Sequence, residues 1–341
     1  MRVARELASR SSYAVAPTIV AVVLLIANAI AQPDFVTTNL TTSLAVATPF
    51  IITAMAQALP LLSGNGGLDL SIGPFMSFTT VMIAGKFAPN GLGDPWLLVP
   101  IVLGMGLACG AANGVLIAYL RLPPIIATLG TYLFYAGLSG EILPDPGGDV
   151  PSWLITLNGD IGPIPGVLFV LAAIAVGWIL LSRTAYVRNL LAVGGDIRTA
   201  YTAGIDVNRT RVLTYALCGM LGAVAGMLFT GRLQGGHATS GNVYTVYSLT
   251  AVALGGIALA GGRGGLFGAA MGGVVLYLIQ SLLTAADVNP YQLGIANGVL
   301  LIAALAANEL LEHQRKKRAL RGGISPPPVI AGATAAPEAG R

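Results

Sequence analysis

The sequence predicts an all-α membrane protein of about ten transmembrane helices, with both termini in the cytoplasm. Three observations predict it. Of 341 residues, 55% are hydrophobic and only 9% charged, against about 25% charged in a soluble domain. The mean hydropathy is +0.78, and the apolar residues fall into runs long enough to cross a hydrocarbon layer about 30 Å thick. The basic residues segregate to one side once those runs alternate across the bilayer. With 45 glycines and only 7% aromatics, the helices are rich in the small residues that let membrane helices approach closely. This composition excludes a soluble enzyme, a disordered regulator and a nucleic-acid binder. Ten helices of about 20 residues, with loops, use up the length without a soluble domain.

The first 13 residues read as a cytoplasmic N-terminus carrying Arg2, Arg5 and Arg10. Ala14 to Ala31 follows. It is longer than a signal-peptide core and lacks a small-x-small cleavage site, so it reads as an uncleaved first span. Further runs lie near 44–62, 70–87, 97–119, 124–140, 163–182, 211–232, 244–260, 265–284 and 291–311. The 44–62, 124–140 and 244–260 runs are short or broken by Pro49, Pro60 or glycine pairs, which leaves room for a re-entrant segment. The spanning domain covers 14–312.

With ten alternating spans, the inside holds Arg2, Arg5, Arg10, Arg121, Arg183, Arg188, Arg198, Arg209, Arg211, Arg263, Arg315, Lys316, Lys317, Arg318, Arg321 and Arg341. Only Lys86 and Arg232 remain outside, together with Asp34, Asp94, Glu141, Asp145, Asp149, Asp160 and Asp287. That split supports the even number of spans and the orientation. The net charge of +4 therefore needs no acidic partner.

Two connecting segments stand out. Glu141 to Gly162 is acidic, rich in Pro and Gly, and has no Lys or Arg. It reads as an external loop with a short interfacial helix around Trp153. Residues 183–211 are too polar to span and too long for a tight turn. Thr199, Ala200 and Tyr201, flanked by Gly194, Gly195 and Gly204, read as a short cytoplasmic surface helix with glycine hinges. Residues 313–341 form a basic, then Pro/Ala/Gly-rich tail with a disordered composition from Gly322 onward.

Little in the chain resembles catalytic machinery. Cys109 and Cys218 sit in apolar runs and read as small buried hydrophobes. Asp69 follows the Gly66–Gly67 pair at the opening of a span. It reads either as a polar contact in a transport path or as a helix N-cap. Glu309 and Glu312 lie at the interfacial end of the last span, and His313 lies in the basic tail. His237 has no Cys or carboxylate partner in sequence, so a metal role is disfavoured. Gly261, Gly262, Gly264 and Gly265 around Arg263 do not make a phosphate-binding loop, which needs G-x-x-x-x-G-K-[ST]. The only Gly-Lys pair, Gly85–Lys86, is followed by Phe87. These glycines read as close helix packing and a cytoplasmic turn. Gly66, Gly67 and Gly73 echo Gly261, Gly262 and Gly268, and residues 112–116 echo 296–300. The echo is either a parallel internal repeat or chance in a glycine-rich chain.

Four segments in order resemble one family. Residues 66–73 match G-G-[IL]-D-L-S-[VI]-G. Asn113–Gly114 through Pro124–Leu129 match N-G-…-P-x-[FI]-I-A-T-L. Ala192–Gly195 through Ala203–Ile205 match A-[VI]-G-G-N…[AS]-G-[IV]. Ala251–Gly268 match A-V-x-[LI]-G-G-x-x-L-x-G-G-x-G-x-x-x-G. The chain thereby resembles the permease subunit of bacterial ABC sugar importers of the ribose/xylose/arabinose/galactose group. It departs from that pattern at Tyr201, commonly basic in the family, and at Tyr244–Tyr247, where the family often has acidic residues.

The resemblance implies a multi-pass permease of the bacterial inner membrane that moves a monosaccharide by alternating access. It implies a second permease copy or close homologue, two cytoplasmic ATP-binding subunits and a periplasmic sugar-binding protein, in a lipid bilayer and without nucleic acid. The chain would be no enzyme and hold no cofactor, since ATP and Mg would belong to the ATPase partners. Gly194, Gly195, Asp196, Arg198, Ala200, Tyr201 and Gly204 would form the ATPase-coupling segment. Asn65, Asp69, Ser71, Asn113, Tyr244 and Asn297 are the candidates for a polar substrate path, each also readable as an interhelical hydrogen bond. The competing readings are a stand-alone secondary carrier or channel, disfavoured by the scarcity of deep carboxylates, and a membrane-embedded enzyme, disfavoured by the lack of a catalytic constellation.

Overall fold

The computed structural model describes residues 2–37, 39–258 and 260–321, with 2–13, 36, 37, 290 and 311–321 described by backbone alone. The 322–341 part of the expected tail lies outside the described residues. The chain is almost wholly helical. Its elements are α1 (Arg2–Ala31), α2 (Asp34–Thr37), α3 (Leu40–Leu62), α4 (Ile72–Met82) with a π-helical turn (Ile83–Phe87), α5 (Pro95–Ala118), α6 (Pro124–Ile142) and α7 (Ser152–Leu157). A two-residue hairpin, β1 (Asp160–Ile161) and β2 (Ile164–Pro165), precedes α8 (Val167–Ser182), α9 (Ala185–Gly195), α10 (Ile197–Thr202), α11 (Val207–Leu233), α12 (Tyr244–Leu254), α13 (Leu266–Ala285) and α14 (Pro290–Arg321).

Among the described residues, seven helices are long and apolar enough to cross a membrane, and α8 with α9 makes an eighth if that pair, bent by 78°, counts as one. Ten spans are expected from sequence; with α8–α9 counted as one, the difference lies in two of them. The 70–87 run becomes α4 plus its π turn, and the 244–260 run stops as α12 at Leu254. Gly255 and Gly256 end α12, the latter at φ +72°, a conformation that glycine adopts without the Cβ penalty. The 44–62 and 124–140 runs, also doubtful from sequence, are the full-length α3 and α6. Pro49 and Pro60 stay inside α3. The 163–182 run starts its helix only at Val167, because β1 and β2 occupy its beginning.

α3 and α11 form the centre: 89% and 78% of their apolar windows are buried, against 22% for α1 and α6 and 11% for α14. α11 packs along α5, α3 and α4; α13 packs on α3, α1 and α12; α14 packs on α12. The α5–α11 seam is glycine on glycine. A Cβ on Gly106 would lie 2.7 Å from Gly219 O, and one on Gly110 would overlap Tyr215 O. Such contacts bring backbones within dispersion range where no hydrophobic force separates helix from lipid.

The connections sort to two ends. At one end, Gly147 and Gly236 exchange backbone hydrogen bonds of 3.1 and 2.7 Å, Asp149 N donates to Ala84 O at 2.9 Å, and Trp153 Nε1 donates to Gly93 O at 2.8 Å. The expected helix around Trp153 is α7. At the other end, Gly262 N donates to Leu62 O at 3.2 Å beside Gly194. Ala84, Gly93, Gly147, Trp153 and Gly236 thus lie at one end, and Leu62, Gly194 and Gly262 at the other. An apolar groove of about 510 Å³ separates α8 from α5 and α11, lined by residues such as Leu103, Phe169, Trp178 and Leu217. Its walls offer no hydrogen-bonding set for a polar cargo.

Candidate functional site

The break between α3 and α4 builds a buried polar cluster. Gly64, Asn65 and Gly66 are all left-handed, at φ +73°, +55° and +67°. Glycine adopts this conformation freely and Asn more readily than most residues, and it reverses the chain back into the bundle. Gly67 then fits against Pro60 O, where any Cβ would collide. Asp69 follows, 2% exposed. Its Oδ1 accepts from Ser71 N at 2.8 Å and from Ser71 Oγ at 2.6 Å. This is an Asx turn onto the residue that precedes α4. Of the two readings of Asp69, a polar contact or an N-cap, the structure gives the polar contact: Ser71, not Asp69, occupies the cap position of α4, and it makes no side-chain cap bond.

The cluster draws on four helices. Asn113 Nδ2 of α5 donates to Ser71 Oγ at 3.0 Å, and Thr131 Oγ1 of α6 donates to Asn113 Oδ1 at 2.9 Å. Cys218 Sγ of α11 lies 3.6 Å from Asp69 Oδ2, and Tyr215 OH donates to Leu68 O at 3.3 Å. With its amide oriented to satisfy both groups, Gln57 of α3 donates to Asp69 O at 2.8 Å and accepts from Asp69 N at 3.3 Å. A cavity of about 10 Å³ adjoins Asp69, Ser71, Cys109, Asn113, Tyr135 and Cys218. That is room for about one water, so the cluster is closed to anything sugar-sized in this conformation.

Of the six path candidates, the structure joins three: Asp69, Ser71 and Asn113. Asn65 is exposed on the turn. Tyr244 lies elsewhere, in an aromatic cluster with Phe50 at 5.1 Å, Phe229 at 5.4 Å and Tyr247 at 5.5 Å between ring centroids. Asn297 accepts from Gln280 at 3.2 Å on the α13–α14 side, with its Nδ2 buried and unpartnered. Sequence reasoning missed Gln57, Thr131, Tyr135 and Tyr215. For Gln57 the signal was present: a lone amide inside an apolar run. Cys218 is fully buried as read, and it also faces the carboxylate.

The polar segment 183–211 is two helices rather than one. α9 turns 78° from α8, and α10 carries the Thr199–Ala200–Tyr201 stretch. Asp196 caps α10 by accepting from Thr199 N at 2.7 Å, and this hydrogen bond holds its carboxyl below the usual carboxylate range. Gly204, at φ +80°, reverses the chain into α11. Gly195, Asp196, Arg198, Tyr201 and Gly204 face outward, while Gly194 and Ala200 are buried against the bundle. Tyr201 is 74% exposed and Ala200 3%. His237 N donates to Thr80 Oγ1 at 3.0 Å, at the end where Gly147 and Gly236 meet. Among the described residues, no group of three His, Cys, Asp or Glu is arranged to hold a metal ion.

Residues 39–305 match the family described as branched-chain amino acid transport system / permease component. The chain belongs to this permease family. It is 33% identical over 248 residues to the ribose import permease protein of Bacillus subtilis (strain 168), covering 71% of this chain and 76% of that protein. It is 31% identical over 312 residues to the fructose import permease protein of Rhizobium meliloti, covering 88% and 86%. It is 33% identical over 276 residues to the autoinducer 2 import system permease protein of Enterobacter sp. (strain 638), covering 78% of each. No solved structure matches the chain. Membership makes this a multi-pass transport permease, and its relatives are permease proteins of importers rather than enzymes. The matched region takes in both the Asp69 cluster and α10.

Proposed function

We propose that this permease is the membrane-spanning subunit of an ATP-driven, binding-protein-dependent importer that carries a monosaccharide across the inner membrane. The family is described for branched-chain amino acids, but the relatives from Bacillus and Rhizobium are named for ribose and fructose. Hydroxyl and amide groups at Ser71, Asn113, Thr131 and Gln57 suit a polyhydroxyl cargo, and none supplies the paired charges that an amino acid zwitterion would select. Alternating access is part of the proposal: the Asp69 cluster must open, since it now encloses only about 10 Å³.

One observation carries the reading. α10 presents Tyr201, Arg198 and Asp196 outward from a capped helix seated on the bundle through Ala200. A short exposed helix fixed to the spans through its inner face suits docking by a separate motor and rigid-body transmission. On this reading α4 with its π turn and α12 cross as short buried elements, giving ten crossings with both termini cytoplasmic, and the echo between 66–73 and 261–268 is a parallel repeat. A second permease, two ATP-binding subunits and a sugar-binding protein complete the assembly.

Reconstitution tests it. The purified chain should take up labelled ribose or fructose into liposomes only with ATPase subunits and binding protein present. Uptake by the chain alone would replace this reading with a stand-alone carrier.

A further inference from the structure

We infer that Gly194, Gly64 and the Gly261–Gly262 pair form a backbone knot that positions the docking segment against both broken regions of the bundle, and so carries its movement to the Asp69 turn. The inference rests on the importer reading and adds to it a route between the docking helix and the polar cluster.

The three segments are far apart in sequence and meet without side chains between them. A Cβ on Gly194 would overlap Leu62 O and lie 2.7 Å from Gly262 N. One on Gly64 would lie 2.8 Å from Gly194 O and 2.9 Å from its Cα. One on Gly261 would overlap Gly64 Cα, and one on Gly262 would lie 2.6 Å from Gly195 N. Gly262 N donates to Leu62 O at 3.2 Å, which ties the loop before α13 to the end of α3. Gly64, Gly261 and Gly262 are also left-handed, so glycine is required there twice over, by conformation and by contact. By contrast, a Cβ on the adjacent Gly195 would meet nothing within 4 Å.

Backbone against backbone leaves no rotamer to absorb a displacement. Close-packed interiors transmit strain for this reason, and packed elements shift as discrete units rather than deforming smoothly. From Gly64 the path to Asp69 is short, and it is pinned at Gly67 against Pro60 O. Gln57 holds the backbone N–H and C=O of Asp69, and Ser71 donates to its carboxylate. From Gly262 the chain enters α13 at Leu266. One contact at Gly194 thus feeds two helices, and the glycine loop around Arg263, which sequence reads as packing and a turn, becomes its second arm.

The test uses the complex of full-length permease with its ATPase subunits in liposomes. Gly194→Ala should lower sugar uptake per ATP hydrolysed by about tenfold, the scale of overpacking by one methyl at a tight contact. Gly104→Ala, whose new Cβ would meet nothing within 4 Å, should stay within about twofold of the parent. Unchanged uptake per ATP in Gly194→Ala would overturn the inference. If that variant does not insert, hydrogen exchange on the unaltered complex decides. Peptides over 62–70, 190–196 and 258–264 should change protection together when nucleotide binds. A change confined to 190–196 would overturn the inference. A chain that binds no ATPase subunit at all would instead overturn the importer reading.

Discussion

Asn113 donates to Ser71 Oγ across 3.0 Å and so fastens α5 to the turn that opens α4. Its other amide atom accepts from Thr131 of α6 at 2.9 Å, so one side chain joins three elements. Asn113→Leu should take one partner from the buried Ser71 hydroxyl and one from the half-buried Thr131 hydroxyl, costing about 1–3 kcal/mol. The readout is a lower unfolding temperature in detergent. Asn113→Asp, which sets a second buried carboxylate beside Asp69 and removes the donor to Ser71 Oγ, should lose at least as much. Equal stability of the leucine variant and the parent would show that the hydroxyls find other partners.

Tyr201 should matter for docking and not for folding. At 74% exposure it contributes little to the bundle, and exposed aromatics are frequent anchors of interfaces. Tyr201→Ala should leave thermal unfolding unchanged and weaken binding of the ATPase subunits by about 1–2 kcal/mol, read by titration of one onto the other.

The α10 cap gives a pH dependence whose sign follows from its geometry. The Thr199 amide lowers the Asp196 carboxyl below its usual value near 3.8. A depressed carboxyl stabilises the helix above the unfolded-state value and loses that contribution as pH falls through the folded value. Protection of the Thr199 amide should therefore be flat from neutral pH to about pH 5 and decline only below the ordinary carboxylate range. Asp196→Asn, which still caps, should remove the decline. Asp196→Ala should reduce protection at every pH.

The α5–α11 seam offers a matched pair. Gly110→Ala drives a methyl into Tyr215 O, whereas Gly104→Ala points into open space on the same helix. The first should destabilise by about 1–3 kcal/mol. The second should gain slightly through helix propensity. Thermal unfolding of both variants checks it, and equal shifts would mean that the seam relaxes.

How much was legible follows from range. The spans are written in runs of apolar residues, and α7 and α10 in the composition of two short segments, so these were readable locally. The Asx turn at Asp69 lay within reach too, but the choice between turn and cap depends on where α4 begins, which packing against α6 and α11 decides. Tyr244 looked like a lining residue because a tyrosine can face either a path or a core. Its place in the aromatic cluster depends on Phe50, nearly 200 positions away in sequence.

The amino-acid sequence alone determined that this chain is helical and crosses a bilayer several times, because hydrophobic run length is a property of each segment. The tertiary structure alone decided that Gln57, Asn113 and Cys218 converge on one turn, and that Gly64, Gly194 and Gly262 touch. Glycine carries no side chain to announce a partner, and a buried amide does not specify which distant helix will answer it. Those contacts exist only once the helices have packed.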